Sequence, residues 1–116
     1  MIRSQKNRLA SRCRVLRRFF AQAFGLMFRK TLQDEGWVFV LPKRGRWDVT
    51  NVFVFQTITV LWLDHERTVL KKRLVAPFTP HVFGAKQSSF LIELPACAYE
   101  SVSVGDVISW KESKRI

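Results

Sequence analysis

Short apolar runs separated by polar turns dominate the chain after Gly36, and this pattern is typical of β-strands. Most residues in these runs are β-branched or aromatic, which favours extended backbone. The runs predict strands at residues 37–41, 52–55, 58–63, 68–70, 89–94 and 107–110, with turns at 43–46, 64–67 and 104–106. Because the runs at 52–55 and 58–63 are almost continuously apolar, we expect both faces of those strands to be covered.

A helical pattern precedes the strands. Between residues 15 and 27 the apolar positions recur every three or four residues, which predicts an amphipathic helix with Gly25 as a stop signal. The apolar positions are Val15, Leu16, Phe19, Phe20, Ala23, Phe24 and Met27, and the opposite half carries Arg14, Arg17 and Arg18. We expect the apolar half to pack on the strands and the arginines to face outward.

The two patterns together predict a mainly β fold, a small antiparallel β-sandwich or barrel with one N-terminal amphipathic helix. The chain has 116 residues, 47% of them hydrophobic, which suffices for a single core. We expect a flexible basic arm at residues 1–12, one β-rich domain at 13–110 and a short basic tail at 111–116.

Six short segments are informative in combination. They are FGLMFR at 24–29, EG with VFVLP at 35–42, VLWLD at 60–64, VAPF at 75–78, LIELPA at 91–96 and VGD at 104–106. Their order and spacing resemble the prokaryotic family known as domain of unknown function 192, over roughly residues 13–110. The resemblance implies a small β-sandwich of jelly-roll type in which residues 15–33 belong to the folded domain. It implies no activity, because the family has none assigned.

Two departures from the family pattern concern possible chemistry. Members of the family usually carry Pro-Ile-Asp where this chain has Thr57, Ile58 and Thr59. Many members have Glu-Leu-Pro-Ala-Gly, and Cys97 stands here at the glycine position. If the aspartate serves a ligand or a reaction in the family, this chain does not retain that role.

Charge is distributed unevenly along the chain. The first 33 residues contain nine Lys and Arg and no Asp or Glu, whereas the remainder contains eleven basic and nine acidic residues. The net charge is +11, so the leading segment carries most of it. Positive charge at this density repels itself unless an anion neutralises it, which favours a polyanionic partner.

The basic clusters predict a non-catalytic RNA-binding protein, most concretely a structural component of the ribosome or another ribonucleoprotein in the cytoplasm. Its partners would be ribosomal RNA and neighbouring subunits. The residues expected to contact phosphates are Arg3, Lys6, Arg8, Arg12, Arg14, Arg17 and Arg18. A second cluster is Lys43, Arg44 and Arg46 with Trp47 as a base-stacking aromatic, and a third is Lys71, Lys72 and Arg73. The plainer interpretation of the later clusters is polar turns, solvated strand faces or lysines that protect a sheet edge.

Signals for catalysis or metal binding are weak. The two histidines lie outside any metal-ligand spacing, and no P-loop, GxGxxG or GxSxG motif occurs. Asp64, His65 and Glu66 are interpreted as a charged turn, and Glu93 and Asp106 as edge and turn residues. We therefore expect no catalytic residue, no metal and no cofactor.

The two cysteines, Cys13 and Cys97, have no spacing typical of zinc or redox sites. Arginines near Cys13 can lower the pKa of its thiol and make it reactive. The plainer interpretation is two reduced thiols in an intracellular protein.

Three alternatives remain open at this stage. The aromatic-rich core also suits a β-barrel that binds or transforms a small ligand of unknown identity. The segment at 15–27 suits peripheral membrane binding, although its phenylalanines are needed to cover the strands. An Arg-rich, acid-free start is also typical of an organelle transit peptide, whereas a signal peptide is disfavoured because residues 19–28 lead into Arg29 and Lys30 without a cleavage site.

Overall fold

The computed structural model describes residues 1–16, 34–51 and 56–112. Within these ranges the chain forms ten β-strands and one short 3₁₀ helix, Ala96–Ser101. The strands are β1 (Ile2–Arg3), β2 (Arg8–Ala10), β3 (Arg12–Leu16), β4 (Glu35–Gly45), β5 (Val49–Asn51), β6 (Ile58–Leu63), β7 (Val69–Val75), β8 (Thr79–Val82), β9 (Ser88–Pro95) and β10 (Ser109–Trp110). The mainly β fold predicted from the sequence is confirmed.

The centre of the structure is a five-stranded sheet in the order β3-β4-β9-β6-β7. The pairs β4–β9, β9–β6 and β6–β7 are antiparallel, but β3 runs parallel to β4, with Arg12 beside Glu35. The prediction of a purely antiparallel sheet was therefore wrong at this edge. A parallel pair needs a long crossover connection, and residues 17–34 supply enough chain for one.

Both faces of the central sheet are covered, as expected for β6, whose six residues are all buried. Side chains alternate between the faces of a strand. Face A, which carries Leu61 and Leu63, packs against the three-stranded sheet β10-β1-β2 through residues such as Ile2. Face B, which carries Val60 and Trp62, packs against the two-stranded sheet β5–β8. Among the described strands the sheets are open, so no closed barrel is formed.

The N-terminal prediction differs from the structure. Residues 1–12, expected to be a flexible arm, lie in β1, β2 and the start of β3, and Ile2 is fully buried in the core. Val15 and Leu16, expected to begin a helix, are strand residues of β3. The rest of the predicted helix, the predicted strand at 52–55 and residues 113–116 of the tail lie outside the described residues.

The other predicted elements agree with the structure to within a few residues. β4 continues through Pro42 to Gly45, beyond its predicted end, and β7 extends from the predicted 68–70 to Val75. The predicted strand at 107–110 reduces to a two-residue strand and one isolated bridge, which joins Val107 to Thr68. The turn at Gly105 has a φ of 97°, a conformation that favours glycine.

Candidate functional site

The three cations nearest the N-terminus lie together on one hairpin. Arg3 in β1 is paired directly with Arg8 in β2, Lys6 lies in the connecting turn, and all three side chains are exposed. We call Arg3, Lys6 and Arg8 the hairpin patch. Two like charges directly opposite each other on a sheet are destabilising and create a local concentration of positive potential. Arg8 of the patch acts on Asp34, whose pKa is lowered first by hydrogen bonds from Ser11 and to a smaller extent by Arg8.

The turn that carries the hairpin patch is fixed by hydrogen bonds. The Ser4 hydroxyl accepts a hydrogen bond from the backbone N–H of Asn7 at 3.1 Å. The Asn7 side-chain amide in turn donates to the Ser101 carbonyl at 2.9 Å, which ties the hairpin to the 3₁₀ helix. The patch is therefore mounted on an ordered surface of the domain and not on a separate arm.

Arg12 and Arg14 lie on the edge strand β3. Arg12 is exposed, whereas Arg14 is half-buried with its guanidinium carbon 5.2 Å from the centre of the Trp37 ring. This distance is within the range of a cation–π interaction, so Arg14 contributes to packing as well as to charge. Arg17 and Arg18 lie outside the described residues.

The second basic cluster is partly engaged in structural contacts. Arg46 forms a 3.2 Å ion pair with Asp48 and lies over the ring of Phe83. The Trp47 indole donates a 2.9 Å hydrogen bond to the Lys43 carbonyl and packs against the core on face B, so it does not provide an open stacking surface. The exposed residues of this cluster are Lys43, Arg44 and Arg46.

The two lysines of the third cluster hold loops in place. The Lys71 ammonium donates to the Phe83 carbonyl at 2.7 Å. The Lys72 ammonium donates to two carbonyls around the 3₁₀ helix, those of Tyr99 and Val102, both at 3.0 Å. Arg73 is exposed. Lys71 and Lys72 therefore have structural roles that neither the RNA-binding prediction nor the plainer interpretation described.

The described basic residues do not converge on one surface. β3 and β7 are opposite edges of the central sheet, separated by four strand spacings or about 19 Å. The hairpin patch belongs to a different sheet. Lys43 and Arg44 lie near the C-terminal end of β4, whereas β3 pairs with its N-terminal half. In the hairpin patch, predicted RNA-binding residues from two paired strands and their connecting turn lie together.

Glu93 is the polar residue that sequence reasoning misjudged most clearly. It was interpreted as an edge residue, but β9 lies in the middle of the central sheet and Glu93 is only 7% exposed. Its neighbours across the strands are Trp37 of β4 and Val60 of β6, so its side chain belongs to face B. The sequence did contain a signal for this burial, because Glu93 stands inside the apolar run of β9.

One oxygen of the Glu93 carboxyl group is buried without compensation from the described residues. Its Oε2 atom has no hydrogen-bond partner there. Desolvation raises the pKa of Glu93 to about 8, because the charged form is disfavoured away from water. The group is therefore mostly neutral at pH 7.

The remaining polar clusters of the described residues have structural explanations. Asp64 accepts hydrogen bonds from the backbone N–H groups of Glu66 and Thr68 at 2.9 and 3.0 Å, which closes the predicted charged turn. Asp106 likewise accepts from the N–H of Ser103 in its own turn. No group of three or more potential metal ligands occurs in the described part of the chain.

A pair that the sequence did not suggest links β5 and β8. His81 Nε2 lies 2.8 Å from a carboxylate oxygen of Asp48, and the other oxygen accepts from the N–H of Gly84 at 2.9 Å. The hydrogen bond from Gly84 is the main cause that lowers the pKa of Asp48. The pair therefore joins Asp48, the residue before β5, to His81 of β8 within the two-stranded sheet.

The thiols differ in environment. Cys13 is buried on face A, and burial raises the pKa of its thiol to about 11. The suggestion that nearby arginines lower this pKa was wrong, because desolvation dominates and the positive group that lowers the pKa is the N-terminal ammonium. Cys97 is exposed, and both cysteines are free.

Comparison with known proteins places the chain in a family. The model of domain of unknown function 192, described as "Uncharacterized ACR", matches residues 1–110. A UPF0127 protein of Pyrococcus abyssi is 31% identical over 96 residues, which is 79% of this chain and 80% of that protein. The chain belongs to the domain of unknown function 192 family.

Two solved structures share the fold of this chain. A protein of unknown function from Novosphingobium aromaticivorans superposes with a TM-score of 0.76 at 20% identity, covering 84% of this chain and 74% of that one. A Sinorhizobium meliloti protein, provisionally described as a transcription regulator, gives a TM-score of 0.80 at 16% identity, covering 93% and 90%. At these identities the likeness concerns the fold alone.

Among the described residues, no helix has the length and apolar character needed to cross a membrane.

The structure shows the contacts made at one departure from the domain of unknown function 192 pattern. Thr59, at the position of the family's aspartate, is fully buried on face A. Its hydroxyl lies 3.0 Å from the Pro95 carbonyl and 3.3 Å from the Ala96 carbonyl, at the start of the 3₁₀ helix. An ionised aspartate would present negative charge to these carbonyl oxygens, whereas a hydroxyl can donate to them.

Proposed function

We propose that this protein is a non-catalytic RNA-binding protein of the cytoplasm, a structural component of the ribosome or another ribonucleoprotein, that contacts phosphates chiefly through the hairpin patch. The observation that carries the proposal is the direct pairing of Arg3 with Arg8 on an exposed hairpin, with Lys6 in the turn between them.

Electrostatic repulsion within the patch supports a phosphate ligand. Like charges opposite each other on a sheet disfavour folding by roughly 0.2–1 kcal/mol, and a bound phosphate between them converts that repulsion into attraction. Arginine also presents a planar set of donors that matches two phosphate oxygens. Because the turn is fixed by Ser4 and Asn7, binding requires little ordering of the backbone.

The other exposed cations extend the proposed surface. Arg12 lies in β3, which follows the hairpin directly, and Lys43, Arg44 and Arg73 add positive potential elsewhere on the domain. Lys71, Lys72 and Trp47 have the internal roles described above, so we assign them no main part in binding. A finer, jelly-roll description of the sandwich remains part of the proposal.

The direct test is the salt dependence of binding to a fluorescently labelled single-stranded RNA, measured by anisotropy. Removing one arginine that neutralises a phosphate should reduce the slope of log affinity against log salt by about 0.7. We expect the single variants Arg3→Gln and Arg8→Gln to show such reductions, and the double variant to show their sum. Lys86→Gln, an exposed lysine outside the patch, removes the same charge and should leave the slope unchanged.

Two outcomes would contradict the proposal. One is an unaltered slope in the Arg3→Gln/Arg8→Gln variant; the other is salt-independent binding of the unmodified protein. Duplex DNA of matched length serves as a competitor, since one structural relative is provisionally described as a transcription regulator. Sucrose-gradient sedimentation with and without ribonuclease tests the assignment to a ribonucleoprotein, because a component must leave the particle fractions when RNA is degraded.

A further inference from the structure

The folded core gains nothing from the carboxyl group of Glu93. Burying a polar group without a hydrogen bond is unfavourable, and an apolar residue of similar size usually fits a sheet interior better. Glu93 nevertheless occupies the central strand of the sheet, with Oε2 unpartnered among the described residues. A buried polar group in this state is a common property of binding sites.

The surroundings of Glu93 on face B include three aromatic residues beside the aliphatic Val60 and Ile58. Trp37 lies directly across the sheet from Glu93, and Trp62 and Phe39 lie one diagonal step away in the neighbouring strands. Diagonal neighbours on a sheet are about 7–8 Å apart, within reach of large side chains. Face B therefore places a carboxyl group among indole and phenyl rings.

The indole rings of this face already interact with cations. Arg14 lies 5.2 Å from the centre of the Trp37 ring, and the Lys71 ammonium lies 5.7 Å from the centre of the Trp62 ring. Both cations come from the edge strands β3 and β7, on either side of Glu93. These contacts indicate that positive groups are stabilised beside the indole rings of face B.

We propose that Glu93 and the indole rings of Trp37 and Trp62 form a binding site for a small organic cation, an alkylammonium or alkylguanidinium ion. The cation would supply the counter-charge that Oε2 lacks, the indole rings would add cation–π attraction, and the alkyl chain would lie against the apolar side chains of face B. The proposal does not depend on RNA binding, which involves a different sheet.

Binding at this site must release a proton at neutral pH. The neutral carboxylic acid gives its proton to solvent, and the resulting carboxylate pairs with the ligand cation, so charge and atoms balance. The charged groups that share face B by register are Arg12 and Arg14 of β3, Glu35 of β4, and Lys71 and Arg73 of β7; β6 contributes none. The sheet β5–β8, which covers face B, adds two further titratable groups, His81 and Asp48, which are paired with each other. Desolvation, and not the field of these charges, accounts for the raised pKa of Glu93.

The experiment is a carboxyl ¹³C NMR titration of the full-length protein between acidic and alkaline pH. The probes are n-butylammonium and n-butylguanidinium chloride, with n-butanol and sodium chloride as controls for the alkyl chain and for ionic strength. We expect each cation, and neither control, to lower the apparent pKa of Glu93. Affinity for the cations should fall about tenfold for each pH unit below the pKa of Glu93, because the proton competes with the ligand.

Variants and salt separate this site from other effects. Glu93→Gln should weaken cation binding at least tenfold, whereas Glu100→Gln, an exposed carboxylate replaced in the same way, should not. Because the protein is strongly positive, added salt should strengthen cation binding while it weakens RNA binding. The opposite salt dependences therefore show separately whether the cation site or the RNA-binding proposal fails.

Three results would overturn the cation site. The first is a Glu93 pKa near 4 in the free protein, which would show that its carboxylate already has a counter-charge. The second is equal effects of n-butanol and the cations, and the third is unchanged cation binding in Glu93→Gln. If Glu93→Gln does not fold, the titration of the unmodified protein still decides between these results.

Discussion

Replacing Glu93 by glutamine should change how the stability of the protein depends on pH. The pKa of this carboxyl is about 8 in the folded protein against 4.5 for the ordinary group. The folded state therefore holds a proton that the unfolded chain releases at intermediate pH. Its contribution to stability is full below pH 4.5 and is lost as the pH rises towards 8, because ionisation favours the unfolded chain.

The magnitude follows from the shift. One pH unit corresponds to about 1.36 kcal/mol, so a difference between about 8 and 4.5 gives an upper limit of about 5 kcal/mol. Across the interval from about pH 5 to pH 8 the expected loss from this group is about 3.5 kcal/mol. Glutamine cannot ionise, so Glu93→Gln should lack this loss.

Urea denaturation of the unmodified protein and of Glu93→Gln at several pH values is the appropriate assay. The quantity of interest is the difference in unfolding free energy between the two proteins, because contributions common to both, including the pair of His81 and Asp48, cancel. Glu100→Gln should follow the unmodified protein. Parallel curves for the unmodified protein and Glu93→Gln, within about 0.5 kcal/mol, would refute the reasoning.

The remaining predictions concern packing and reactivity. Gly84→Ala should destabilise by about 3 kcal/mol in urea denaturation, because its Cβ would lie 2.6 Å from a buried indole nitrogen, whereas Gly45→Ala has no contact closer than 3.8 Å and should be tolerated. Thiol titration with an aromatic disulfide should modify Cys97 rapidly and Cys13 slowly, since burial raises the Cys13 pKa to about 11; equal rates would contradict this. Thr59→Val should lose about 1–2 kcal/mol in thermal denaturation, because two carbonyl groups lose their donor; unchanged stability would count against it.

Several elements could be predicted from the sequence because their signals are local. The turn before β7 depends on Asp64, which bonds to backbone groups two and four residues along the chain. The continuous apolar run of β6 reflects burial on both faces, which the structure confirms. Family membership was also recognisable, since it rests on short segments in a fixed order.

The errors concern contacts between distant parts of the chain. Residues 1–12 were taken for a flexible arm because they contain few apolar side chains, yet β1 in this segment pairs with β10, with Arg3 beside Ser109. The same limitation affected Glu93, because nothing local shows whether a strand lies at the edge or in the centre of a sheet. The hydrogen bonds of the lysines could not be predicted either, since Lys72 binds carbonyls about 30 residues away in sequence.

The sequence by itself determined the β-rich class of this protein, the location of its main strands and turns, and its large positive charge. These properties follow from residue composition and from periodicity within a few neighbouring residues. Only the tertiary structure decided which cations share a surface, which are held by carbonyl groups, and that Glu93 is buried among aromatic rings. Strand order and register fix those relations, and they arise from hydrogen bonds between residues far apart in the chain.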